Sequence, residues 1–307
     1  MSQSNTIEST HITTHLVPAN ESTELKWLML FICTAYHYKL IFCGFFGKVL
    51  GYSWICNTMI HGVSTNHWFE QLVYAPLLWY VMYRIIIVVF GPHHREVLGK
   101  SVQTKKVLAL FFATIHIYAL GIHFTNTIEI YSRVHLDISS GPLYEQIFWV
   151  DEVLSHWIQF FFYFLFFAWL ITYDRLDRED GGKIAIFTGL LHGLERSIGV
   201  IEGDNPYSAL VFGTWILIAC LIRWKNHKKD FTRVWKDFFF RYGLTFGISM
   251  PIGLLSYHLT FDGFIQPSTM KDSAWEVVVF GAVFILVGFF MAIGIDSFLS
   301  KKSKPSK

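Results

Sequence analysis

A succession of apolar stretches, each long enough to cross a bilayer, limits what this chain can fold into more than any other feature. A helix needs about 20 apolar residues to span the hydrocarbon core. Eight such windows run roughly over 27–47, 68–90, 105–130, 147–172, 184–202, 207–223, 237–260 and 275–298. Composition agrees: 53% of the 307 residues are hydrophobic, 18% are aromatic and 16% are charged. These proportions exclude an ordinary water-soluble domain. The expected architecture is an all-α, polytopic membrane bundle of about eight transmembrane helices over 25–299. A disordered Ser/Thr/Asn-rich tail is expected over 1–24 and a basic tail over 300–307. The fifth window holds His192, Glu195, Arg196 and three glycines, so a re-entrant course is its alternative.

Basic residues give an orientation, because Lys and Arg concentrate in cytoplasmic loops. With both termini inside, 19 of the 25 basic residues fall in cytoplasmic segments, seven of them between Arg223 and Arg241. Only Lys48, Arg133 and Lys271 lie outside. The first residues lack a charged segment followed by an apolar core, so they read as a cytoplasmic tail and not as a cleaved signal. The expected location is the cell membrane, with both termini cytoplasmic. The net charge of +2 is a topology signal and implies no nucleic-acid partner. Four cysteines without CxxC spacing suggest neither a disulfide framework nor a thiolate metal site. Dinucleotide-binding, phosphate-loop, nucleophile-elbow and HExxH motifs are all absent.

Three apolar windows carry sets of His and carboxylate residues, which are costly in hydrocarbon and therefore mark function by default. They are His116, His123 and Glu129; Asp151, Glu152 and His156; and His192, Glu195 and Glu202. The alternating course of the spans puts all three sets in the outer half of the bundle. At about 100° per residue, His116 shares a face with His123, Glu152 with His156, and Glu195 with Glu202. Glu129 points elsewhere, and Glu202 approaches the outer boundary.

Imidazole and carboxylate without thiolate is a donor set suited to zinc or non-haem iron. Pairs three or four residues apart on facing helices are how bundles build such centres. The expected metal ligands are His123, His156 and His192. Glu152, Glu195 and Asp151 are the expected catalytic carboxylates, one of them the general base for a metal-bound water. The leading functional expectation is a metal-dependent membrane enzyme, a hydrolase or oxidoreductase, acting on a lipid or other hydrophobic substrate. Two alternatives use the same residues. One is a metal-independent acid/base enzyme on an isoprenoid-like substrate; the other is a proton- or ion-coupled transporter or an accessory subunit. Arg196 beside Glu195 also permits a purely structural ion pair.

Overall fold

The computed structural model describes residues 19–41, 59–60, 63–91, 101–174, 182–203, 205–227 and 230–265, together with 283, 290 and 294. The chain is an all-α polytopic membrane bundle. Its helices are α1 (Ala19–Ile41), α2 (His67–Val89), α3 (Ser101–Arg133), α4 (Pro142–Tyr173), α5 (Gly182–Glu202), α6 (Ser208–Asn226) and α7 (Phe238–Phe261). A short helix, Phe231–Trp235, precedes α7. Among the described residues, the six helices α2 to α7 are long and apolar enough to cross a membrane. The α1 helix begins at Ala19, inside the segment expected to be a tail. The eighth window, apart from 283, 290 and 294, lies outside the described residues, as do Asp296, Cys43, Cys56, His93 and His94.

The window with a re-entrant alternative proves the most enclosed. The α5 helix is continuous over 21 residues, and its apolar window is the most buried of the six. Its glycines explain this. Gly189, Gly193 and Ser197 recur every fourth residue and meet Thr245, Ser249 and Gly253 of α7, which have the same spacing. A Cβ on Gly193 would sit 2.5 Å from the Phe246 carbonyl oxygen, a distance no packed carbon tolerates. Small residues in this register let helix backbones approach closely, which is the main source of association where lipid and side chain are equally apolar. Glu195 and Arg196 therefore ride on a helix clamped at the centre of the bundle.

Polar pegs fix the remaining helices. Arg84 of α2 donates from Nε to Glu24 of α1 at 3.0 Å. Gln71 of α2 donates to the Leu120 carbonyl of α3 at 2.7 Å, and Trp169 of α4 donates to the Lys105 carbonyl of α3 at 3.1 Å. Near Trp169, Arg223 of α6 is fully buried and makes two 2.6 Å hydrogen bonds to Asp237, at the N-terminus of α7. It also donates to the Ile171 carbonyl of α4 at 2.9 Å. Asp237 in turn caps α7 by accepting from the Phe240 N–H at 2.8 Å. A buried guanidinium with this many acceptors is a structural tie joining three helices.

Three helices depart from α-geometry at one level. The α2 helix has a π-turn over Glu70–Tyr74, and α4 has one over Trp149–Ser155. The α3 helix tightens to a 3₁₀ turn over His123–Thr125. Irregular turns of this kind give up ideal hydrogen bonding and recur at functional sites.

Candidate functional site at the irregular turns

Those three turns, with α5, surround a polar cavity of about 40 Å³. It lies where α2 and α4 begin and α3 and α5 end. Its wall includes Glu70 and Tyr74 from α2, His116 and His123 from α3, and His156, Gln159 and Phe160 from α4. Glu195, Arg196, Gly199 and Glu202 complete it from α5.

Asp151 is fully buried on the π-turn of α4, and its Oδ1 lies 2.8 Å from Nδ1 of His123. Its Oδ2 accepts from the Asn126 amide at 2.7 Å. The carboxylate is thus held by the Asn126 amide and stands in ion-pair contact with the His123 ring. His156 packs against His123 with ring centroids 4.8 Å apart, and its Nδ1 donates to the Glu152 carbonyl at 2.7 Å. Nδ1 of His116 donates to the Gln159 carbonyl at 2.9 Å. A carbonyl oxygen only accepts, so Nδ1 carries the hydrogen in both rings. Nε2 of a neutral His116 or His156 is then the nitrogen with the lone pair. In His116, Nε2 is buried and has no protein hydrogen-bond partner.

On the α5 side, Nε of Arg196 lies 2.7 Å from Oε2 of Glu195, both residues being buried. The Arg196 guanidinium also lies over the Tyr163 ring, 4.1 Å from its centroid. This pair is part of the cavity wall as well as a packing element.

The expected ligand set is divided. His123 and His156 come together, but His192 does not line the cavity. His192 is fully buried in an aromatic box, stacked on Phe246 with centroids 4.3 Å apart. Its Nε2 is 2.5 Å from the Tyr163 hydroxyl, and its Nδ1 is hydrogen-bonded to the Tyr242 hydroxyl. With both nitrogens engaged by tyrosines, the ring is a hydrogen-bonded core group in this arrangement. Its ring looks towards α4 and α7. Among the described residues, no group of three or more His, Cys, Asp or Glu side chains is arranged to hold a metal ion.

Of the expected carboxylates, Glu195 lines the cavity and Asp151 supports its wall through His123. Glu152 stands behind His156, with Oε2 3.7 Å from that ring's Nδ1. Glu202 and His116 both belong to the wall. Glu129 is buried away from the cavity, accepting from the Tyr144 hydroxyl and lying 3.3 Å from Arg133. His258, near the end of α7, packs against Phe264.

The residue not anticipated is Glu70, which is buried on the π-turn of α2. Its signal was present: a carboxylate near the start of an apolar window, subject to the same cost argument as the others. No protein-family model, curated protein or solved structure matches this chain.

Proposed function

We propose that the protein is a membrane-embedded enzyme that performs acid/base chemistry on a lipid or other hydrophobic substrate at this cavity. The observation that carries the reading is the His123–Asp151 dyad: a buried carboxylate 2.8 Å from one ring nitrogen, with the imidazole in the wall of a polar cavity. A buried carboxylate in ion-pair contact with an imidazole stabilises its protonated form during proton transfer. Glu70 and Glu195 stand across the same small space as further proton-carrying groups. A cavity of about 40 Å³ admits only the reacting group of a substrate, whose apolar body would remain among lipid and aromatic side chains.

The test uses purified full-length protein in vesicles of polar lipids extracted from the expression host, followed by mass spectrometry and chromatography of the lipids. Wild type converts a lipid to a product of altered mass or retention, and His123→Ala and Asp151→Asn lose that conversion. The absence of any protein-dependent change would overturn the reading.

One observation favours a metal-assisted form of this chemistry. His116 and His156 each hydrogen-bond a backbone carbonyl through Nδ1, the arrangement that presents Nε2 to a metal, and Nδ1 of His123 lies 2.8 Å from Asp151. A zinc or iron ion bound there would supply Lewis-acid chemistry. Elemental analysis distinguishes the two forms: a stoichiometric metal lost in both His123→Ala and His156→Ala supports the second. The charge distribution further supports cytoplasmic termini in a cell-membrane protein.

A further inference from the structure

We infer that Gly199 of α5 is the specificity-determining residue of this site: its missing side chain leaves the room that the reacting group of the substrate occupies. The inference rests on the proposed acid/base reading and adds to it a limit on the substrate, whose reacting end must be slender.

Glycine inside a helix is less favourable than alanine, so each one asks for a reason. For the glycines on either side of Gly199 the reason is a close neighbour. A Cβ on Gly189 or Gly193 would run into the α7 backbone, and one on Gly203 would lie 2.9 Å from Cβ of His156. Gly199 differs. It lies within the continuous α5 helix, and an added Cβ would meet only the Phe160 ring, at 3.5 and 3.6 Å, which is ordinary van der Waals contact. The residue is half-buried and belongs to the cavity wall. The space its side chain would fill is therefore part of the cavity.

A shift of the helices cannot close that space. On one side α5 is clamped to α7, where Gly193 meets Phe246 and Gly253 meets Ser197. On the other side Gly203 abuts His156 of α4, one turn beyond Gly199, and so fixes the distance between α4 and α5. The Phe160 ring is stacked on His156, with centroids 5.8 Å apart, which keeps the facing wall in place. Gly199 and Phe160 thus form an apolar strip in a wall that also carries His123, His156, Glu70 and Glu195. A volume of about 40 Å³ holds roughly three water-sized groups, so a reacting end of about three heavy atoms fits and a bulkier one does not. One methyl group on Gly199 would take about a third of that room.

The experiment applies the vesicle assay to full-length wild type, Gly199→Ala and Gly199→Val, and measures the thermal unfolding midpoint of each in detergent micelles. Gly199→Ala is expected to keep or raise the midpoint, because alanine suits a helix and its methyl group enters open space. Its lipid conversion is expected to fall at least about tenfold, the lower range for one carbon too many in a substrate pocket, and to vanish in Gly199→Val. The pH dependence of the conversion that remains should match wild type, since neither His123 nor Asp151 is altered; a shifted profile would overturn the steric explanation. A lowered midpoint in Gly199→Ala would overturn the inference, because the space would not be open. Undiminished conversion in Gly199→Ala would overturn it as well and leave the acid/base reading standing. No conversion by wild type would overturn both readings.

Discussion

The Tyr163 hydroxyl lies 2.5 Å from Nε2 of His192, and the Tyr242 hydroxyl is hydrogen-bonded to the other nitrogen of the same ring. The three groups form a continuous polar line through an otherwise aromatic core. Whichever nitrogen carries the hydrogen, one tyrosine donates and the other accepts, so the line is satisfied without water. His192→Phe keeps the stacking on Phe246 but leaves two buried hydroxyls without this partner. A loss of roughly 2–6 kcal/mol is expected, at 1–3 kcal/mol for each abandoned group. Chemical unfolding in detergent micelles measures it. Lipid conversion by the folded fraction should survive, since His192 stands outside the cavity wall.

Asp151→Asn should behave in the opposite way. The amide is isosteric and can still meet Asn126, so the fold is expected to persist with an unfolding midpoint close to wild type. Conversion should fall by about 10²–10⁴-fold, because the neutral amide cannot offset the charge of a protonated His123 ring. Equal loss of stability and activity would show Asp151 to be a packing residue only.

Helix contact predicts a sharp contrast among glycines. Gly193→Leu must force α5 away from the Phe246 carbonyl and is expected to abolish a monodisperse species in size-exclusion chromatography. Gly121→Ala has nothing within 4 Å of its added Cβ and is expected to be tolerated. A well-folded Gly193→Leu variant would disprove the close crossing of α5 and α7.

At the far end of the bundle, Arg223→Ala leaves Asp237 and Asp174 buried around a missing cation. Breaking one partner of a buried pair costs about 3–5 kcal/mol. Arg223→Lys should recover only part of this, since an ammonium cannot make the paired contacts to both Asp237 oxygens. Thermal unfolding of the three proteins in parallel measures the order.

How far the site could be read beforehand depended on what kind of information each residue carried. His123, Asp151, His156 and Glu195 were legible because ionisable groups in apolar windows are costly, and because alternating spans set their depth. Glu70 obeyed the same rule and was readable from it. The pairing of Asp151 with His123 was not, since it depends on a π-turn that rotates one helix against its own period. Helical phase shows which residues share a face but not which neighbour that face meets.

The sequence by itself therefore determined the membrane bundle, through the length of its apolar windows, and the depth of the polar groups, through their positions along them. Only the tertiary structure decided the membership of the site. It enclosed His192 between two tyrosines, brought His116 into the cavity wall and added Glu70 from a helix not suspected of contributing. The physical reason is that depth is a one-dimensional property fixed by distance along a helix. Convergence instead depends on helix rotation and approach, which are set here by the small residues between α5 and α7 and the irregular turns of α2, α3 and α4.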